Sequence, residues 1–317
     1  MTDKEITFWL LDGDISVQYQ AHRDLLNADK PQLRERIGLQ GWGAKFLACQ
    51  QPNGYWGRSF YQPKWTSTHY TLLDLKNLCI SPENKAIRKT LNLIFEKEKG
   101  PDGGIYPIGT IQKSDVCING MVLNYSSYFN VEEEFLKSIV DFLLYEKMKD
   151  GGFNCQSNKK GAMHSSLHST LSVLEGILEY KSNGYSYRLN ELEKAQVESQ
   201  EFILMHKLFR SDKTGKIINP NFLKLCYPPR WYYDILKAMD YFQFAKVKYD
   251  NRMDEAIEII LDKRTKQGQW KLASHHPGQT YFEMEQPGKP SRWNTLRVLR
   301  VLRHYQNETT KAYKQGA

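Results

Sequence analysis

Apolar residues recur along this chain with the period of a helix. Leu136, Ile139, Val140, Leu143 and Leu144 fall at i, i+3, i+4, i+7 and i+8, while Glu132, Glu133 and Lys137 fill the opposite face. Acidic residues lead this segment and Lys147 and Lys149 trail it, the order the helix macrodipole favours. Similar one-sided runs at 33–50, 82–98, 190–207 and 253–265 predict outer helices, wet on one face. A second set alternates with them: Leu72 to Leu78, Met121 to Leu123, Leu171 to Leu178, Ile235 to Met239 and Leu296 to Leu302. These are apolar around more of their circumference and predict buried inner helices. A further pair, 3–11 and 16–27, with Ser16 as its expected N-cap, brings the count to six outer and six inner helices.

The hairpins are punctuated by glycine turns: Asn53-Gly54-Tyr55-Trp56, Asp102-Gly103-Gly104-Ile105, Asp150-Gly151-Gly152-Phe153, Thr214-Gly215-Lys216-Ile217 and Gln267-Gly268-Gln269-Trp270. Counted from Gly54, Gly104, Gly152, Gly215 and Gly268, the intervals are 50, 48, 63 and 53 residues. A repeat of that length means stacked helical hairpins. Six of them predict an all-α fold, an (α/α)6 toroid formed as one domain over residues 1–317. The starts of the inner helices then share one end of the central space. Polar and aromatic residues gather there: Lys64, Trp65 and His69; Asp115, Cys117 and Asn119; His164 and His168; Arg230, Trp231 and Tyr233; Arg292, Trp293 and Asn294. Helix N-termini favour anions, so this end is the expected ligand site, with the helix bodies apolar.

Composition narrows the reading. The 317 residues carry a net charge of +8, ascribed to solvated helix faces and a basic tail over about 306–317 that includes Lys311 and Lys314. No short segment interleaves basic and aromatic residues, so no nucleic-acid partner is expected. No run of about 18 apolar residues predicts a membrane span. The N-terminus shows no secretory signal pattern, and the five scattered cysteines read as reduced thiols, which together predict a cytoplasmic protein.

The stretch Gly41-Trp42-Gly43-Ala44-Lys45-Phe46-Leu47-Ala48-Cys49-Gln50-Gln51-Pro52-Asn53-Gly54-Tyr55-Trp56 resembles the QW repeat of squalene and hopene cyclases. The pattern is also similar to that of protein prenyltransferase β subunits, which share the α/α toroid. Trp9-Leu10-Leu11, Val17-Gln18-Tyr19, Pro228-Pro229-Arg230-Trp231 and Pro290-Ser291-Arg292-Trp293-Asn294-Thr295-Leu296-Arg297 resemble bacterial proteins labelled prenyltransferase-like or squalene-cyclase-like. The resemblance implies an isoprenoid or other apolar-anionic small molecule, such as an isoprenoid diphosphate, in a central cavity with a basic, aromatic mouth.

That family's prenyltransferases hold zinc with Asp-x-Cys at one inner-helix start and a His at the next. This implies Asp115, Cys117 and either His168 or His164 as metal ligands and catalytic residues, Cys117 and His168 being 51 residues apart. The cyclases' acidic DxDD-type cluster is absent, which disfavours hydrocarbon cyclisation. The alternatives are a carbohydrate-active (α/α)6 lyase or glycoside hydrolase, and a non-catalytic binding scaffold. Residues 274–290 form a long loop, expected to be a lid, in which His275 and His276 lie at the surface.

Overall fold

The N-terminal hairpin shows how local chemistry fixes the element boundaries in the computed structural model, which describes residues 1–107, 113–156 and 160–315, with side chains through Tyr305. Helix α1 (Asp3–Leu11) opens with a reciprocal capping box between Thr2 and Glu5. Helix α2 (Ile15–Leu25) is capped by Asp14, whose Oδ1 accepts the Ser16 amide at 2.9 Å. The expected cap, Ser16, is therefore the donor. The other oxygen of Asp14 accepts the Trp42 amide at 2.9 Å, and this tie explains Gly41. Its φ is +62°, and a Cβ there would meet Asp14 Oδ2 at 2.0 Å. The expected outer helix at 33–50 is accordingly two short helices, α3 (Pro31–Arg36) and α4 (Gly41–Ala48).

The remaining hairpins alternate wet and dry helices. In α6 (Lys85–Lys97) five of thirteen residues are buried, whereas in α7 (Val116–Tyr128) eleven of thirteen are. Helices α8 (Glu133–Tyr145), α10 (Leu189–Met205) and α12 (Asp254–Asp262) follow the first pattern. Helices α5 (Thr68–Asn77), α9 (Leu167–Ser182), α11 (Ile235–Phe244) and the first three turns of α13 (Arg292–Gln315) are the dry set. Helices α7 and α9 approach most closely, because Gly120 and Gly176 remove side chains from the crossing: a Cβ on Gly176 would sit 2.4 Å from the Gly120 carbonyl. Packing links α5 to α7, α7 to α9, α11 to α13, and α13 back to α2. That last contact joins the two ends of the chain through Arg300, which donates to Gln20 at 3.2 Å and pairs with Asp24 at 2.9 Å. Among the described residues the fold is all-α apart from one antiparallel ladder, β1 (Trp270–Lys271) with β2 (Pro290–Ser291), and three isolated bridges. The basic tail lies outside the described side chains. No helix among the described residues is long and apolar enough to cross a membrane.

A repeated polar lock explains the glycine turns. The left-handed residues are Gly54, Gly103, Gly151, Gly215 and Gly268, with φ between +67° and +91°. The counting glycines Gly104 and Gly152 therefore shift by one. Two residues after the left-handed glycine, in four of the five turns, a backbone amide donates to a side chain at the start of the next inner helix. The pairs are Trp56 to Thr68 at 2.9 Å, Ile105 to Asn119 at 2.7 Å, Phe153 to Thr170 at 3.0 Å and Trp270 to Thr295 at 3.0 Å. From the outer side, Thr90, Ser138 and Ser199 donate to the carbonyls of Gly54, Gly103 and Gly151 at 2.7–2.8 Å. Trp56 and Trp270 also donate their indole N–H to Phe46 and Ile260 carbonyls at outer-helix ends. Buried backbone groups must be paired, so these side chains are required by the four hairpin turns that carry the lock.

Candidate functional site

A cavity of about 330 Å³ is lined by residues from six helices, α2, α5, α7, α9, α11 and α13, and by the loop that carries Tyr227, Pro229 and Arg230. It is not the apolar tunnel expected from the inner helices. Six cations line it (Arg23, Lys76, Arg230, Lys237, Arg297 and Arg300) against three anions (Glu175, Glu179 and Asp240). Its residues come mostly from the middle and C-terminal turns of the helices, not from their N-terminal starts.

Most of these charges are matched inside the protein. Arg300 donates through two nitrogens to Asp240, at 2.6 and 2.5 Å, and also reaches Asp24. Burial penalises its cation, but Asp240 and Asp24 outweigh that and raise its pKa. Lys76 pairs with Glu179 at 2.9 Å, and Lys237 with Glu175 at 3.1 Å.

Arg230 is the exception. It is 6% exposed, and its nearest carboxylate, Asp74, lies 3.9 Å away, too far to accept a hydrogen bond. Its Nε has no partner among the described residues, and neither does either oxygen of Asp74. Here burial wins: it lowers the Arg230 pKa against the opposing pull of Asp74 and pushes Asp74 up to about 6. Arg230 also holds a left-handed backbone, φ +53°, uncommon for a side chain of this size although seven other non-glycine residues among those described share the sign. Three more residues that line the cavity carry a buried polar atom without a partner among the described residues: Trp293 at Nε1, Arg297 at Nη1 and Asn124 at Oδ1. Nearly all buried polar groups in folded proteins are hydrogen-bonded. Four residues that line this one cavity thus carry a buried polar atom without a partner among the described residues.

The expected site residues divide. Arg230 and Trp293 line the cavity, Trp293 stacked on Tyr227 with ring centroids 4.7 Å apart. Arg292 does not. Its Nε donates to the Trp9 carbonyl at 3.0 Å and its guanidinium lies over the Trp9 ring, pinning the N-terminal hairpin. Asn294 donates to the Leu225 and Lys271 carbonyls, and Asn119 locks a turn, so both serve the fold. Tyr233 donates its hydroxyl to the Leu208 carbonyl. His69 is fully buried, with Nδ1 3.2 Å from the Tyr125 hydroxyl, and desolvation holds it neutral with a pKa of about 3.

Lys64 and Trp231 belong to an aromatic cluster under the 274–290 loop, which meets the cavity at Arg230, whose guanidinium lies 4.5 Å from the Trp65 ring. The Lys64 ammonium lies 4.8 Å from the Trp65 ring and 4.9 Å from that of Trp231. Trp65 donates to the Pro277 carbonyl at 2.6 Å, and Tyr281 donates to the Thr66 carbonyl at 2.8 Å. His276, expected at the surface, instead stacks on Tyr232 with centroids 3.8 Å apart, and burial pushes its pKa down to about 4. The loop thus covers the helix-start end where the ligand was expected.

The residues present do not fit the implied zinc. Among the described residues no group of three His, Cys, Asp or Glu side chains could hold a metal ion. His168 uses Nδ1 to accept the Tyr233 amide at 2.8 Å and packs among Phe222, Trp231 and Tyr232. His164 is exposed. Cys117 meets Cys155 instead. The Cys155 sulfur accepts the Cys117 amide at 3.0 Å and the Ser169 hydroxyl at 3.2 Å. The Cys117 thiol also donates to it, which lowers the Cys155 pKa and raises that of Cys117. Asp115 is the N-terminal flanking residue of α7.

Sequence reasoning missed Asn124, Lys237, Glu175, Asp240, Arg297 and Arg300. Each is a polar residue inside an apolar helical run, and that interruption was the available signal. Compared with known proteins, the chain matches no family model and no curated sequence.

Proposed function

We propose that the hairpins close into an α/α toroid whose central cavity binds a small anionic molecule. Closure is supported by the return of α13 to α2 through Arg300, Gln20 and Asp24, and by the six helices that share one cavity wall. The observation that carries the binding reading is Arg230: a buried cation that the protein itself leaves short of a matched hydrogen-bond acceptor. Removing one partner from a buried charge costs several kcal/mol. An anion that accepts from Arg230 and Arg297 recovers part of that cost on binding.

An isoprenoid chain is a poor occupant. Its hydrocarbon would lie against Lys237, Glu175 and Arg297, desolvating them without offering a hydrogen bond in return. The reading therefore keeps the anionic group of the expected ligand and drops the prenyl tail. No reaction is assigned, and a binding scaffold meets the same geometry.

Titration calorimetry with inorganic phosphate and with succinate at low ionic strength tests this, on the wild type and on Trp293→Phe. The variant removes the unpartnered indole N–H together with part of a buried ring, so a thermal melt accompanies the titration to show that the fold is kept. One anion should bind the wild type at submillimolar Kd and bind the variant about five- to tenfold more weakly, the worth of one hydrogen bond to a charged group. Absence of any anion binding at millimolar concentration would sink the proposal.

A further inference from the structure

We infer that the ligand is a polyhydroxylated anion of one sugar ring's size, a sugar acid or a sugar phosphate. The inference rests on the anion-binding reading and adds to it what the unpartnered atoms require of the rest of the ligand.

Residues that line the cavity carry unmatched donors and an unmatched acceptor together. Arg230 Nε, Arg297 Nη1 and Trp293 Nε1 can only donate, and a carboxylate or phosphate accepts from all three. Asn124 Oδ1 can only accept, as can the two oxygens of Asp74 beside Arg230 when that carboxyl is ionised. A simple carboxylate answers the first set and leaves the second bare. A hydroxyl both donates and accepts, so a ligand bearing hydroxyls next to its anionic group answers both.

Size and shape agree with this. At about 330 Å³ the cavity lies at the small end of ligand sites, enough for one ring and not for an enclosed chain of several. Its polar atoms are not alone: Trp293 and Tyr227, stacked on each other, add apolar edges to the wall. The charges that are already paired, Lys237 with Glu175 and Arg300 with Asp240, stand as fixed dipoles around the hydroxyls.

The test is a calorimetric panel on the full chain: glucuronate, glucose 6-phosphate, hexanoate, hexyl phosphate and glucose, each with the wild type and Asn124→Leu. At least one hydroxylated anion should bind the wild type ten or more times tighter than the alkyl anion of the same charged group. Asn124→Leu should shrink that margin to about threefold or less while the alkyl anion's affinity stays unchanged. Preference for glucuronate or for glucose 6-phosphate then identifies the anionic group. Equal binding of hexanoate and glucuronate, and of hexyl phosphate and glucose 6-phosphate, overturns this inference and leaves the anion reading standing. Glucose binding as tightly as glucuronate overturns both, as does no binding by any of the five. Circular dichroism and a thermal melt on the variant separate a lost contact from a lost fold.

Discussion

The Arg230 guanidinium stands 3.9 Å from the Asp74 carboxylate, so two opposite buried charges face each other without a hydrogen bond between them. Along the same cavity Arg300 and Asp240 share a two-pronged contact at 2.5–2.6 Å. The chain can build a closed ion pair here and has built an open one beside it. Arg297 stands between these cases: its Nε reaches Asp240 at 3.2 Å, while one of its terminal nitrogens has no partner among the described residues.

The open pair gives a pH signature. Asp74 has a folded pKa of about 6 against an ordinary value of 3.8, so the folded state holds its proton more tightly than the unfolded chain does. Its ionisation between those values costs stability as pH rises, on the order of 3 kcal/mol for two units. Urea denaturation of wild type and Asp74→Asn at pH 4 and pH 7 isolates this term. The wild type should lose ground to the variant as pH rises. A difference independent of pH would contradict the placement of Asp74.

The closed pair should behave in the opposite way. Arg300→Met leaves Asp240 with one weaker partner and Asp24 with only Arg23, and breaking such a buried pair costs about 3–5 kcal/mol. Chemical denaturation should show that loss at pH 7. It should be partly restored by adding Asp240→Asn, because the stranded charge is then gone.

The turn locks can be tested away from the cavity. Asn119→Ala removes the acceptor of the Ile105 amide and two donated bonds, and Thr170→Ala removes the acceptor for Phe153. Each should destabilise by about 1–3 kcal/mol, the cost of leaving a buried backbone group unpaired. Anion binding at 25 °C should be unchanged in whatever fraction is folded. A specific loss of binding in Asn119→Ala would return that residue to the ligand site where its position first placed it.

The legibility of this chain followed the strength of its patterns. Amphipathic helices such as α6 and α8 were readable because one wet face dictates the period. The glycine turns were readable because an L side chain resists the left-handed backbone at Gly54, Gly151 and Gly268. The cavity was not readable for a related reason. In Leu296-Arg297-Val298-Leu299-Arg300-Val301-Leu302-Arg303 the arginines recur every third position in an apolar helix. Such a stripe marks either a solvated edge or a line of buried ion pairs, and only the partners on α2 and α11 decide between them. Asn119 and Arg292 misled in the reverse direction. Polar residues at helix starts attract a functional reading, yet here they satisfy the backbone of the preceding turn and of the N-terminal hairpin.

The paired cysteines offer a chemical readout. Hydrogen bonds from the Cys117 thiol, the Ser169 hydroxyl and the Cys117 amide lower the Cys155 pKa, whereas those of Cys117, Cys49 and Cys226 are raised. Because the thiolate is the reactive form, brief iodoacetamide treatment at pH 7 followed by peptide mass spectrometry should label Cys155 before those three. Ser169→Ala should slow that labelling. Faster labelling of Cys117 would reverse the assignment of donor and acceptor.

A crystal structure of the protein grown with millimolar glucuronate or inorganic phosphate shows whether the six-helix cavity holds an anion between Arg230 and Arg297. Electron density for the anion is expected within hydrogen-bonding distance of Arg230 Nε and Arg297 Nη1, with Trp293 Nε1 as a third donor. Density only at the protein surface, with Arg230 turned to close its pair with Asp74, would contradict it.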